Sequence, residues 1–205
     1  TGLGLRSRLR RLQLTHRLSV ISLLVCDVDG VLTDGGLHYT ETGEVTKRFD
    51  VRDGLAIRML QRDGVEVALL SGGRSGAIEQ RAKHLEIEQC LQQQLAVPVS
   101  ATAFLGDDVN DLVTRPLVNL MLCPANAVPA LRRQVDWVLS CCGGQGALRE
   151  CSDALLAARG LLRLFQQTGW RQSNAPSSPI CRCPRPLDCI SAFAALGQPW
   201  FSWLH

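Results

Sequence analysis

Cys26-Asp27-Val28-Asp29-Gly30-Val31-Leu32-Thr33-Asp34-Gly35 follows directly on the apolar run Ile21 to Cys26, and that junction decides the fold. A short apolar run that stops abruptly at acids and glycine has the length of a strand buried on both faces. Further runs of this kind are Val65 to Leu70, Ala101 to Leu105, Leu117 to Leu122 and Trp137 to Ser140. Helical patterns alternate with them. Gly54 to Arg62 takes Asp53 as its N-cap and turns Leu55, Met59 and Leu60 inward; Ser75 to Leu85 buries Ile78, Ala82 and Leu85. Val128 to Gln134 is a short helix with Pro129 in its first turn, and a long helix runs from Ala147 to about Phe165. The alternation predicts an α/β domain with a mainly parallel sheet flanked by helices. Gly36 to Phe49 reads as a β-hairpin turning at Thr42 and Gly43 and projecting from the end of the sheet.

The wider composition agrees. The 205 residues are 46% hydrophobic and 20% charged, enough for one proper core, which excludes a disordered chain or a disulfide miniprotein. No apolar run reaches the roughly 18 residues of a membrane-spanning helix, so a soluble, cytoplasmic protein with no membrane partner is expected. The formal charge of +3 is misleading. Arg6, Arg8, Arg10, Arg11 and Arg17 crowd the first nineteen residues, whereas positions 20 to 170 hold 14 basic and 18 acidic side chains. A nucleic-acid binder would carry its positive charge on the folded body, so no nucleic-acid partner is expected. The nine cysteines are scattered, without paired Cys-x-x-Cys spacing or a histidine cluster, which fits reduced thiols and argues against structural zinc. Three segments result: a basic extension or linker over 1–19, a folded domain over 20–165, and a Pro-, Cys- and Trp-rich tail over 166–205 expected to be poorly ordered.

The chemistry lies at the strand ends. An acidic pair after a strand is, taken alone, an ordinary solvated turn. Here a second cluster, Gly106-Asp107-Asp108-Val109-Asn110-Asp111, follows another strand in the same way, and in a parallel sheet both emerge at the carboxyl edge where ligands bind. Converging carboxylates repel unless a cation joins them, and an all-oxygen ligand set favours Mg²⁺. One such aspartate can attack phosphorus while another, two residues on, protonates the leaving oxygen and then activates water. Ser71-Gly72-Gly73 ends a third strand with a hydroxyl and backbone N–H groups suited to a phosphate.

Asp27 to Thr33, the hairpin, Arg52-Asp53-Gly54, Ser71-Gly72, Gly106 to Asp111, Pro124 to Pro129 and Gly143 to Ala147 together resemble the haloacid dehalogenase superfamily over about residues 20 to 162. Within it they are similar to the capless 3-deoxy-D-manno-octulosonate 8-phosphate phosphatases and to the related domain of acylneuraminate cytidylyltransferases. The resemblance implies a Rossmann-like fold without a cap domain, with Asp27 as nucleophile, Asp29 as general acid/base, and Mg²⁺ held by Asp27, the Asp29 carbonyl and Asp107. Asp108, Asn110 and Asp111 would support the site, and Ser71, Gly72, Arg74 and Arg52 would bind phosphate or substrate. It also implies a phosphorylated sugar acid as substrate and a homotetramer in which one subunit's hairpin closes its neighbour's site.

The sequence departs from that pattern. The family lysine between the Ser-Gly and Gly-Asp-Asp strands has no counterpart, because the only lysines are Lys47, in the hairpin, and Lys83, too early in the order. About nine residues separate a possible strand at Ile87 to Gln92 from the strand at Thr102, too few for a parallel crossover, which points to a deletion near 92–100. Gly73 and Gln145 stand where the family usually has arginine. Impaired turnover is the expectation, and a catalytically silent oligomerisation module is the alternative.

Overall fold

The computed structural model describes residues 2–72, 76–87 and 97–169. The chain begins with helix α1 (Gly2–Ser19) and enters the sheet at β1 (Leu23–Asp27). The hairpin β2 (His38–Tyr39) and β3 (Val45–Thr46) precedes α2 (Val51–Arg62), β4 (Glu66–Leu70) and α3 (Gly76–His84). Then come β5 (Thr102–Leu105), a 3-10 helix over Val109–Leu117, β6 (Leu120–Cys123), α4 (Pro129–Arg132), β7 (Trp137–Val138), α5 (Ala147–Ala158) and α6 (Leu162–Thr168).

Five strands pair in parallel in the order β4-β1-β5-β6-β7, a singly reversed α/β sheet with its switch point between β1 and β5. Side chains alternate between its faces, as a strand's two-residue period requires. Leu24, Cys26, Ala103, Leu105, Leu120 and Leu122 pack with Ile57 and Leu60 of α2 and Leu148 and Leu155 of α5. Leu23, Val25, Ala68, Phe104, Met121 and Cys123 face the other way, onto Leu131 of α4 and Val97 and Leu112 of the connections. The hairpin turns where expected, with Thr40 N–H donating to Glu44 O at 2.9 Å and Gly43 N–H to Thr40 O at 3.0 Å.

The basic N-terminal segment is docked. Leu18 is buried and Leu14 packs against the core. Arg17 Nη1 reaches Asp136 Oδ1 at 2.9 Å, its Nε donates to Asn119 Oδ1 at 3.3 Å, and its Nη2 donates to Asn119 O. Arg8, Arg10 and Arg11 remain exposed.

Several local readings are corrected. The N-cap of α2 is Asp50, whose carboxylate accepts from Arg52 N at 2.7 Å, and not Asp53, which lies inside the first turn. Leu55 faces solvent while Met59 and Leu60 are buried, because the inward face is set by Ala56, Ile57, Met59 and Leu60, and Leu55 lies at its margin. The long C-terminal helix is two helices. It stops at a Schellman turn in which Gly160, at φ +77°, donates to Ala157 O and Leu161 donates to Leu156 O at 2.8 Å. The expected domain boundary at 165 falls within α6, and residues 117–119 belong to the 3-10 helix and its exit, so β6 starts at Leu120. The possible strand at Ile87 to Gln92 lies, beyond Ile87, outside the described residues, as do 92–96 of the apparent deletion and the tail from 170 on.

Asp53 ties α2 to α5. Its Oδ1 accepts from Arg149 N at 2.8 Å, while Oδ2 is buried without a hydrogen-bond partner. Burial above all pushes its carboxyl up to about 6, opposed by the N–H groups of Arg149 and Gly146. A raised carboxyl stabilises the fold through its proton, an effect complete below the ordinary carboxylate range and lost as pH rises through about 6. Asp53→Asn should therefore gain relative to the parent by about 1 kcal/mol between pH 5 and 7.5, some 2–4 °C in melting temperature. Parallel melting curves for the two proteins across that range would refute the assignment.

Candidate active site

Asp27 is the last residue of β1, and Leu70, paired with it in register, is followed at once by Ser71 and Gly72. On the other side β1 pairs with β5, whose end leads into Gly106 and Asp107. The switch point thus brings all three predicted strand-end clusters to one edge. Oxygens of Asp27, Asp107 and Asp111 lie within 4.8 Å of one another.

The loop after β1 is shaped by Thr33, which is fully buried. Its Oγ1 accepts from Gly30 N at 3.3 Å and Gly35 N at 3.2 Å and donates to Val28 O at 3.4 Å. Gly30 sits at φ +83°, and any Cβ there would collide with the Asp107 carboxylate. After β5, Asp111 Oδ2 accepts from Asp107 N at 2.7 Å and Asp108 N at 3.1 Å, and Asp108 Oδ1 accepts from Val109 N at 2.6 Å. This capping box fixes the second acidic loop on the 3-10 helix.

Electrostatically the three acids burden one another. Burial, then repulsion from Asp111, pushes the Asp27 carboxyl far above the usual carboxylate range, and burial with repulsion from Asp111 and Asp108 raises Asp107. Burial also raises Asp111. Three close carboxylates, Asp111 buried and Asp27 and Asp107 half-buried, fit a hard divalent cation, which would offset the charge that otherwise drives these groups to take up protons.

Asp29 turns away from the cluster, with both carboxylate oxygens on Lys47 Nζ at 2.6 and 2.7 Å. The carboxylate that lies with those of Asp27 and Asp107 is that of Asp111. Asp108 and Asn110 are exposed, Asp108 acting as the cap. Arg52 grips the Asp50 carboxylate at 2.7 Å and donates to Gln145 O at 2.9 Å, bridging the start of α2 to the 143–146 loop. Arg74 lies outside the described residues.

Lys47 is the residue that sequence reasoning passed over. The signal was present in Val45-Thr46-Lys47-Arg48-Phe49, where alternation places the lysine in register with the two apolar residues.

Comparisons with known proteins bear on this geometry. No family model matches the chain. In sequence it is 40% identical over 163 residues to the 3-deoxy-D-manno-octulosonate 8-phosphate phosphatase of Haemophilus influenzae, covering 73% of this chain and 91% of that protein. In structure it is similar to a subfamily III A hydrolase of the haloacid dehalogenase superfamily from Legionella pneumophila, with TM-score 0.74 and 31% identity over 80% of this chain and 97% of that one. It is also similar to the 3-deoxy-D-manno-octulosonate 8-phosphate phosphatase of Moraxella catarrhalis, whose crystal structure is a complex with magnesium, phosphate and the sugar acid (TM-score 0.72, 30% identity, 76% and 97% covered). With the α/β sheet, its hairpin and the aspartate cluster at the switch point already in place, that identity across nine-tenths of a relative means that the chain belongs to the 3-deoxy-D-manno-octulosonate 8-phosphate phosphatase family of the haloacid dehalogenase superfamily.

Proposed function

We propose that the chain is a Mg²⁺-dependent phosphomonoesterase acting on 3-deoxy-D-manno-octulosonate 8-phosphate or a related sugar-acid phosphate. The observation that carries the reading is the convergence of Asp27, Asp107 and Asp111 at the end of β1, beside the Ser71-Gly72 turn. Asp27 attacks phosphorus, so that an Asp27 O–P bond forms as the P–O bond to the sugar breaks, and Asp29 gives the leaving oxygen its proton. Water then attacks the aspartyl phosphate, Asp29 takes the water's proton, and the Asp27 O–P bond breaks to release phosphate. Ser71 Oγ and Gly72 N–H hold the phosphoryl oxygens, with Arg74 and Arg52 on the substrate side. Asp27, the Asp29 carbonyl and Asp107 hold the Mg²⁺, with Asp108, Asn110 and Asp111 in support. When bound, the ion offsets phosphoryl charge and steadies the nucleophile.

The missing family lysine sets the expected rate. Losing a cation matched to transferring phosphoryl charge slows turnover by about 10²–10³-fold, by analogy with other preorganised electrostatic groups. The working assembly is a homotetramer whose hairpins close neighbouring sites, a reading supported by exposed Leu37 and by Tyr39, 68% exposed at the hairpin. A cytoplasmic location is supported by the five free thiols among the described residues, Cys26, Cys123, Cys141, Cys142 and Cys151. Among those residues no helix is long and apolar enough to cross a membrane.

The test is phosphate release from 3-deoxy-D-manno-octulosonate 8-phosphate by the purified chain. Turnover should fall to background with a chelator and return with excess Mg²⁺. Folded protein that releases no phosphate under any metal condition would point to the silent oligomerisation module instead.

A further inference from the structure

The hairpin delivers a buried ammonium to the edge of the site. The Lys47 side chain is only 4% exposed, although that of its partner Asp29 is 37% exposed. Burying an ammonium costs several kcal/mol unless it is paired and hydrogen-bonded, and here both carboxylate oxygens of Asp29 accept from it. The register explains the burial. Along residues 45–49 the half-buried positions are Val45, Lys47 and Phe49, and the exposed ones Thr46 and Arg48. Phe49 is pinned in turn by Arg81, whose guanidinium carbon lies 5.4 Å from the ring centroid and whose Nη2 donates to Asp50 O at 3.0 Å. The lysine's stem is therefore anchored at its C-terminal side by packing that does not involve the acidic loops.

The residue type also carries information. The chain has 22 lysines and arginines, of which only Lys47 and the exposed Lys83 are lysine. A sequence that uses arginine almost throughout has a lysine where one compact charge must fit under a hairpin and hold a single carboxylate.

We infer that Lys47 is a positioning residue, holding both oxygens of Asp29 so that its carboxyl stands at one fixed place beside the nucleophile's loop. This rests on the phosphatase reading, in which Asp29 exchanges the proton with the leaving oxygen. Without Lys47 a side chain that is more than one-third exposed swings in solvent, and proton transfer loses its geometry while phosphate and metal contacts remain. The hairpin thereby acquires a second role, since its seating decides where the acid stands.

The experiment compares the parent with Lys47→Met, Lys47→Arg and Asp29→Asn, using kcat/KM for 3-deoxy-D-manno-octulosonate 8-phosphate and for p-nitrophenyl phosphate. The alkyl leaving group needs a proton and p-nitrophenolate does not, so a fault in the general acid separates the two substrates. Lys47→Met should lose about 10²-fold on the sugar phosphate and less than about 3-fold on the aryl ester, within the usual range for general acid catalysis. The sugar-phosphate KM should move less than about 3-fold, Lys47→Arg should recover most of the loss, and Lys47→Met should add nothing in an Asp29→Asn background. Equal losses on both esters, or none on either, would overturn the positioning role and leave the phosphatase reading standing. A parent that hydrolyses neither ester would overturn the phosphatase reading, and the inference with it.

Discussion

Asp27→Asn releases phosphate at no more than about 10⁻⁴ of the parent rate, because the amide cannot form the aspartyl phosphate through which turnover runs. Loss of a nucleophile can be confused with loss of the fold, and here the structure separates them. Burial and the neighbouring acids drive Asp27 towards its protonated form when no cation is bound. The neutral amide has nearly that state's shape and charge, so the cation-free variant should melt within about 2 °C of the cation-free parent. Mg²⁺ should raise the parent's melting temperature and raise the variant's far less, since one of the three clustered carboxylates is gone. Rate and melting curve are measured on the same preparation. Residual Mg²⁺-dependent turnover above about 10⁻² of the parent would remove Asp27 from the role of nucleophile.

The second large effect is expected from Gly30→Ala, a change of one methyl group. Gly30 lies at φ +83°, where an L-residue costs about 1–2 kcal/mol, and its new Cβ would overlap the Asp107 carboxylate. Asp107 has little room to retreat, because its own N–H is held by Asp111 Oδ2 at 2.7 Å and Asp111 also holds Asp108. The strain therefore falls on the position of the Asp107 carboxylate relative to Asp27. Mg²⁺ affinity should drop at least about 10-fold and kcat/KM about 10³-fold, with a melting temperature lowered by about 2–8 °C. Titration of Mg²⁺ into the folded variant, followed by initial rates at saturating Mg²⁺, checks both parts. Parental affinity and rate in a variant with alanine at this position would mean that the two acidic loops do not meet as described.

What was legible in the sequence follows from how each feature is encoded. The sheet is written in short, uninterrupted apolar runs, and its five strands overlap the runs beginning at Ile21, Val65, Ala101, Leu117 and Trp137. The convergence of the acids was legible for the same reason, because parallel strands put their ends on one edge. Capping was less so. Asp50 and Asp53 are both plausible helix starts, and what separates them is the tertiary bond from Arg149 N that takes Asp53 into the interior. Apolar periodicity on both sides of Gly160 hides the break there, although a lone glycine is what a Schellman turn uses. The sequence places Lys47 in the hairpin but does not encode its reach to Asp29, since pairing across 18 residues depends on how the hairpin folds over the loop. Arg74 and the tail beyond residue 169 lie outside the described residues, and no structural account attaches to them.

The clamp of Arg17 on Asp136 and Asn119 has a consequence for biosynthesis. Its halves are 119 residues apart, so at ribosomal rates of about 5–20 residues per second roughly 6–24 s pass between the emergence of one and the other. During that interval α1 lacks Asp136 and the helix α5 that it contacts, and the core into which Leu14 and Leu18 pack is unfinished. Docking of the first helix is a completion step: a nascent or truncated chain ending before Asp136 presents those leucines to chaperones, and the finished chain withdraws them.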